Sequence, residues 1–395
     1  MRAVTWQGPK QISVDHVPDP VINQPTDAII RVTTTGLCGS DLHLYEPLSP
    51  FMTPGDIVGH EPMGIVEEVG SEVTNLRRGD RVVIPFNVSC GECWMCERDL
   101  QSQCETTQNR DQGTGASLLG YSKLYGQVPG GQAEYLAVPY ADYGAIKVPE
   151  GPSDDRFVFL SDVLPTAWQG VEYAGVSSPE QTLLVMGAGP IGDMAARIAL
   201  HRGVQVIVAD RVPERLSRVA SRGAEVINID EAGKDFADEV RALTHGRGAD
   251  AVIDAVGMEA HGSPFVEMTQ KVVGMLPDAI AQPFMKKAGV DRLAALTAAF
   301  DAVRRGGTVS ISGVYGGALD PLPMMQLFDK QVQLRMGQAN VRRWSDDIVQ
   351  LLDQDEDVLG VESFATHHLS LDEAPRAYAD FRAKKDGMIK VVFNP

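Results

Sequence analysis

Cysteine is scarce in this chain: there are five in 395 residues, and Cys90, Cys93, Cys96 and Cys104 crowd into one short segment. An odd, clustered set argues against a secreted disulfide framework and for metal binding in a reducing compartment. Positive charge is also short. Lys and Arg number 35 against 53 Asp and Glu, for a formal net charge of −18 and a pI near 4.8. Such a chain repels phosphate backbones, so neither nucleic acid nor an anionic membrane is expected as a partner. No stretch of eighteen or more apolar residues is present, which argues against a transmembrane helix. Residues 1–10 lack a charged segment followed by an apolar run, so no signal peptide is expected and a cytoplasmic location is. Aromatics are sparse at 6 %.

Glycine, by contrast, is abundant at 39 residues, which favours tight turns and close backbone approach. The length suits two domains of roughly 100–200 residues each. The first 150 or so residues read as short strands, such as 28–33 (AIIRVT), 64–69 (GIVEEV) and 80–84 (DRVVI), bounded by turn residues. From position 181 a strand–helix rhythm sets in. The strands TLLVMGAG, VQVIVAD, EVINI, ADAVIDAVG and TVSISGV alternate with helical stretches, predicting an α/β domain with a doubly wound parallel sheet. After about Gly337 the pattern loosens, and the final strand MIKVVF could return to the first domain. The stretch 262–289 is longer than a βαβ crossover needs and reads as an insertion, at least partly loop.

The cysteine spacing is Cys-x2-Cys-x2-Cys-x7-Cys. Four thiolates suit tetrahedral zinc and fill its coordination sphere, so Cys90, Cys93, Cys96 and Cys104 form a structural rather than a catalytic site. Zinc there would pin a long polar loop. An iron–sulfur cluster also takes four cysteines, but no other redox motif accompanies them. The fifth, Cys38, sits in GLCGSDLHL, followed by GHEPMG with His60 and Glu61. A thiolate, an imidazole and one further ligand would leave zinc an open position for an alcohol oxygen. Ser40 and His43 flank Cys38. A hydroxyl beside the reacting oxygen can pass a proton onward, and an imidazole can deliver it to solvent. Ordinary turn chemistry is the other reading of Ser40, Asp41 and His43.

GAGPIG, from Gly187 through Gly189, Pro190 and Ile191 to Gly192, follows an apolar strand and opens a helix. In that context it reads as a dinucleotide fingerprint. Gly187 makes the tight turn, Gly189 admits the pyrophosphate, Gly192 allows close helix packing, and the helix N-terminus faces the phosphates. Asp210 ends the next strand, where a carboxylate binds the adenosine ribose hydroxyls and repels a 2′-phosphate, favouring NAD. Arg211 could bind such a phosphate; beside Asp210 it reads as stacking near adenine or as a solvated charge.

The segment GHEPMGIVEEVGSEV fills every specified position of Gly-His-Glu-x2-Gly-x5-Gly-x2-Val. It resembles the zinc-containing alcohol dehydrogenase signature of the medium-chain dehydrogenase/reductase superfamily, and within it the bacterial formaldehyde-dehydrogenase-like branch. The resemblance implies a GroES-like β-domain plus a Rossmann domain, with the active site in the cleft between them. It implies Cys38 and His60 as catalytic zinc ligands, with Glu61 just behind the metal and Asp41 as a partner of the ligand histidine. The third ligand in the family is often a cysteine; the matching position here is Asp162, as in the formaldehyde-dehydrogenase-like branch. Cys⁻/His/Asp⁻ cancels the charge of Zn²⁺ as Cys⁻/His/Cys⁻ does, with a harder donor. A helix N-cap is the other reading of Asp162. The resemblance also implies a proton relay from Ser40 through the cofactor ribose to His43. It places Arg215 beside the adenosine, Thr166 near the nicotinamide and Lys390 near the pyrophosphate. The insertion at 262–289 is similar in placement to a loop that covers the adenine in glutathione-independent formaldehyde dehydrogenases; a surface excursion or an oligomer contact is the alternative.

The expected organisation is a catalytic domain at 1–162 with a zinc lobe at about 88–110, a cofactor domain at 163–337, and a return at 338–395. Two zinc ions per chain and NAD are expected, with a small alcohol or aldehyde, formaldehyde among them, as substrate and a homo-oligomer (dimer or tetramer) as the assembly. A polyol or secondary-alcohol dehydrogenase shares every motif, and a non-catalytic NAD-binding protein is the alternative outside enzymes. Trp168 and Leu48 are candidates for the substrate pocket.

Overall fold

A computed structural model describes residues 1–46, 48–257, 294–315 and 322–395; the stretch 262–289 lies outside the described residues. The chain divides into two compact units, Met1–Pro165 with Ala339–Pro395, and Thr166–Gln338. Among the described residues no helix is long and apolar enough to cross a membrane.

In the first unit, β1 (Arg2–Gly8), β2 (Gln11–His16) and β4 (Asp56–Ile57) form a three-stranded sheet in the order β2-β1-β4. A seven-stranded sheet contains β3 (Ala28–Leu37), β5 (Glu61–Val69), β6 (Arg81–Val83), β7 (Tyr135–Val138), β8 (Ile146–Lys147), β15 (His367–Ser370) and β16 (Val391–Asn394). Its order is β15-β16-β3-β5-β6-β8, with β7 also paired to β3. Ile30 and Val32 point into a core shared with Val66, Val82, Leu119 and Leu136. Arg31, between them, faces solvent and pairs with Glu67. This alternation is what a half-buried antiparallel sheet requires.

The register of this sheet builds the site. β3 and β5 are antiparallel with Gly36 opposite Glu61. Cys38, just beyond the end of β3, and His60, just before the start of β5, therefore emerge side by side. The C-terminal strand adds to the same place: Val391 lies opposite Leu37 in the β16–β3 pair, which carries Lys390 toward Glu61.

A part-buried polar tie joins β3 and β6 to Asp154. The Asp154 carboxylate accepts from the Thr33 and Thr34 hydroxyls at 2.5 and 2.9 Å and from Arg81 Nη2 at 2.6 Å. Burial opposes its charge, but those three donors win and hold its pKa below the ordinary carboxylate range. A depressed folded-state pKa contributes stability above the unfolded value, about 3.9, and loses it as pH falls through the folded value. Asp154→Asn is therefore expected to cost about 2 kcal/mol at pH 7, the scale of hydrogen bonds to a charged group. The deficit should shrink below about pH 4. Urea titrations of both proteins at several pH values check this; a pH-independent deficit would show that shape, not charge, carries the tie.

After Gly337 the chain is regular rather than loose. Val341–Leu352 and Ala374–Arg382 are regular helices. In the first, Val341, Ser345, Ile348 and Leu352 are buried, a helical stripe. The intervening Arg342, Arg343, Asp346 and Asp347 mask it in the sequence.

The second unit contains an all-parallel six-stranded sheet: β9 (Thr182–Met186), β10 (Gln205–Asp210), β11 (Glu225–Asn228), β12 (Ala249–Asp254), β13 (Val303–Ile311) and β14 (Gln333–Met336), in the order β11-β10-β9-β12-β13-β14. β9 is buried along its whole length, so it reads as a continuous apolar run rather than an alternating one. The strand order reverses between β9 and β12, the point where open α/β sheets bind their ligands. Helices Pro190–His201 and Pro213–Ala220 follow β9 and β10.

Candidate functional site

Sulfur donors of Cys90, Cys93, Cys96 and Cys104 all lie within 4.8 Å of one another. Cys104 Sγ is 3.6 Å from Cys90 Sγ and 3.9 Å from Cys93 Sγ. Zinc–sulfur bonds of about 2.3 Å arranged tetrahedrally put sulfurs about 3.8 Å apart, so zinc fits this donor set. The Cys90 amide donates to Cys104 Sγ at 3.4 Å, and the Glu105 amide to Cys93 Sγ at 3.3 Å. Hydrogen bonding from Cys96 holds the Cys104 thiol well below its ordinary range despite burial. Cys93 is also lowered, whereas Cys90 and Cys96 are raised, so the protons are shared unevenly among the four sulfurs, and a metal would draw off those that remain.

The second cluster brings Cys38, His60, Glu61 and Asp162 together, with one donor atom from each within 4.8 Å of the others. Cys38 caps the helix Gly39–Tyr45: its amide donates to Asp41 Oδ2 at 3.0 Å. Asp162 Oδ2 lies 3.5 Å from Cys38 Sγ and 3.4 Å from His60 Nε2. Although Asp162 immediately precedes the helix Val163–Ala174, its carboxylate faces the thiol and the imidazole. Burial, with Asp162 and Glu61 nearby, pushes the Cys38 thiol up to about 11. A cation would draw that proton off, and the separations match donors about 2.0–2.3 Å from a shared ion.

Around these donors, Ser40 Oγ lies 3.3 Å from Cys38 Sγ and 3.1 Å from His60 Nε2. The other face of the imidazole is set by Asp41, whose Oδ1 is 3.0 Å from Nδ1. Burial disfavours a charged imidazole, but Asp41, Asp162 and Cys38 together raise its pKa well above the ordinary value. His43 follows Ser40 by three residues in the same helix and is buried. Phe86 and Tyr121 pack edge-on against His60, with centroids 6.3 and 6.4 Å away. Neither is visible in the motif: Phe86 lies beyond the end of β6, and Tyr121 in an irregular stretch much further along the chain.

In the second unit, the Gly187 to Gly192 turn has the close contacts that exclude side chains. A Cβ on Gly192 would stand 1.8 Å from the Gly187 carbonyl oxygen. The helix Pro190–His201 starts there with Gly189 at its N-cap. Asp210 accepts from the amides of Ala188, Arg211 and Val212 at 2.6, 2.7 and 2.9 Å, so its carboxylate is fixed at the mouth of the turn. Arg215 Nη1 comes within 3.6 Å of where a Gly189 Cβ would be. Arg211, half-exposed, is ion-paired to Asp230 at 2.6 Å, which is compatible with its reading as a solvated charge. Thr166 lies in the helix Val163–Ala174.

Residues 24–150 match the alcohol dehydrogenase GroES-like domain, and residues 190–275 match the zinc-binding dehydrogenase model. An uncharacterized zinc-type alcohol dehydrogenase-like protein of Bacillus subtilis is 40 % identical over 399 residues, covering 100 % of both chains. The chain belongs to the zinc-containing alcohol dehydrogenase family of the medium-chain dehydrogenase/reductase superfamily. The formaldehyde dismutase of Pseudomonas putida is 32 % identical over 422 residues, covering 100 % of this chain and 97 % of that one. The structure of the alcohol dehydrogenase from Thermus sp. ATN1 superposes with a TM-score of 0.82 at 34 % identity, covering 100 % and 99 % of the two chains.

Within this zinc-type alcohol dehydrogenase, three more of the residues named from the sequence have defined surroundings. Lys390 is fully buried, its ammonium on Glu61 and, at 3.1 Å, the Leu37 carbonyl. Trp168 lies under the Arg202 guanidinium, 4.4 Å from its ring. Leu48 caps a short 3₁₀ turn, Ser49–Phe51.

Proposed function

We propose that this protein is an NAD-dependent oxidoreductase that takes hydride from a small alcohol or a hydrated aldehyde such as formaldehyde. The observation that carries this reading is the Cys38, His60, Glu61 and Asp162 cluster, a mixed thiolate–imidazole–carboxylate set at a signature shared with zinc-type alcohol dehydrogenases. When bound, zinc supplies Lewis acidity at the substrate oxygen and NAD accepts the hydride. The protein's own residues do the rest. Cys38, His60 and Asp162 hold the ion, and Glu61 stands beside them. Ser40 Oγ, at the edge of the cluster, takes the hydroxyl proton of the substrate, and His43 passes it outward. Asp210 and Arg215 at the Gly187 to Gly192 turn bind the adenosine end of NAD, the Asp210 carboxylate excluding a 2′-phosphate. Phe86 and Tyr121 keep water from the imidazole face.

The balanced reaction for hydrated formaldehyde gives formic acid, NADH and a proton. Two curated relatives named for formaldehyde chemistry, a dismutase and a glutathione-independent dehydrogenase, are 32 % identical over nearly the whole chain, which supports this substrate class. Initial rates over formaldehyde, primary alcohols and polyols, with and without thiols, test it. The highest kcat/KM should fall on formaldehyde without added thiol; a preference for polyols would reject the reading. Native mass spectrometry of the same preparation should report about two zinc ions per chain and show whether NAD is retained. It also counts subunits. Met324, Met325 and Phe328 stand exposed on the helix Met324–Lys330, as do Leu334 and Met336 on β14, the edge strand of its sheet among the described residues. We read this face as the one against which a second copy packs.

A further inference from the structure

We propose that Gln132 and Tyr378 are positioning residues for His60, acting through Asp41, and that they set how firmly the Cys38, His60 and Asp162 site keeps its zinc. The inference rests on the zinc reading of that site. It comes from a buried polar chain drawn from four distant parts of the sequence. Tyr378 Oη donates to Gln132 Oε1 at 2.9 Å. Gln132 Nε2 donates to the Gly36 carbonyl at 3.1 Å and reaches Asp41 Oδ2 at 3.4 Å. Asp41 Oδ1 faces His60 Nδ1 at 3.0 Å. Relative exposures are 1 % for Tyr378, 0 % for Gln132, 1 % for Asp41 and 3 % for His60, so no member can turn to bulk water for a substitute partner.

The chemistry admits one orientation of the Gln132 amide. Its two acceptors, the Gly36 carbonyl and the Asp41 carboxylate, require N–H groups, and its remaining oxygen receives the phenol proton. Reversing the amide would set oxygen against two oxygens. Each bond also polarises the next: a proton on the amide oxygen makes the amide a stronger donor to Asp41. A fixed Asp41 fixes the imidazole plane, and partners of ligating histidines set metal retention.

The backbone is shaped to admit this chain. Gly59 has φ +92°, and a Cβ there would stand 2.3 Å from Gln132 Cγ. The glycine that precedes His60 in the signature is thus the place where the Gln132 side chain crosses. Gln132 is held there by its own backbone, which donates to the Val58 carbonyl at 3.1 Å and accepts from the Val4 amide at 2.8 Å. Tyr378 is placed by the helix Ala374–Arg382, its ring 5.6 Å from that of Tyr45.

The test is zinc release from the holoenzyme into excess chromophoric chelator, which resolves two equivalents. Cys38→Ala identifies the equivalent belonging to the catalytic cluster. Tyr378→Phe removes one hydroxyl and keeps the ring, and Gln132→Met removes the amide at similar volume. Each should speed release of the Cys38-dependent equivalent about 10-fold while leaving the Cys90, Cys93, Cys96 and Cys104 equivalent unchanged. The cobalt-substituted protein should show a shifted visible spectrum in both variants. Wild-type release and spectra in both would overturn the inference alone, as would equal acceleration of both equivalents, which marks general loosening. Absence of any Cys38-dependent equivalent in the wild type would overturn the zinc reading, and this inference with it.

Discussion

Cys38→Ala is expected to leave a folded protein with one zinc per chain and a turnover lowered roughly 10³-fold or more, the scale of several kcal/mol of lost Lewis-acid stabilisation. The fold should survive because the side chain adds only one half of a capping box, the sulfur facing the Asp41 amide. Cys38 begins its helix through backbone groups: its amide donates to Asp41 Oδ2 at 3.0 Å, and its carbonyl accepts from the Asp41 amide at 3.1 Å. Alanine keeps both. What alanine removes is one of the two negative charges that neutralise the ion. Asp162→Asn is the sharper companion. Asparagine caps a helix as well as aspartate does, so a structural role would survive the change. A ligand role would not: the neutral amide gives up a charge that zinc needs. Metal analysis, thermal unfolding and initial rates on the two variants separate the cases. Turnover within tenfold of wild type for Cys38→Ala would remove it from the ligand set. Unaltered zinc content in Asp162→Asn would leave Asp162 as a cap.

The parallel sheet was legible because its signal is local. Apolar strands end in glycine or aspartate and alternate with helices at regular spacing, and the observed order β11-β10-β9-β12-β13-β14 follows. The cysteine cluster was legible for the same reason: its four sulfurs converge within fifteen residues. The family motif put Cys38, His60 and Asp162 on one roster, and the structure brings all three together. What the sequence could not display is long-range pairing. Nothing near Gln132 announces that it crosses Gly59, and nothing near Tyr378 points 246 residues back to it. Lys390 illustrates the same limit. The sequence matched it only to a basic position near the pyrophosphate; its contact with Glu61 is set by the β16–β3 register, which no local pattern displays. The helices after position 340 were hidden by exposed charges lying between the apolar positions of the buried stripe.

That register makes Lys390→Met the most destabilising single change we expect. Lys390 and Glu61 are each 0 % exposed at the side chain, and the ammonium also satisfies the Leu37 carbonyl at 3.1 Å. An exposed ion pair contributes less than about 1 kcal/mol. A buried one is different in kind: the intact pair roughly balances its desolvation, but removing one partner strands a charge away from water and costs about 3–5 kcal/mol. Methionine fills the space of the lysine stem and leaves both the carboxylate and the carbonyl without their donor. The loss falls where β16, β3 and β5 meet, with Val391 opposite Leu37 and Gly36 opposite Glu61, so it should loosen the first unit as a whole. For a unit of this size the melting temperature should drop by about 10 °C. Adding Glu61→Gln in the same chain should recover most of the loss, because the stranded charge is gone. Differential scanning calorimetry of the single and double variants measures this. The contrasting role is equally definite: a lysine that serves only the cofactor phosphates would, when replaced, raise the KM for NAD and leave the melting temperature alone.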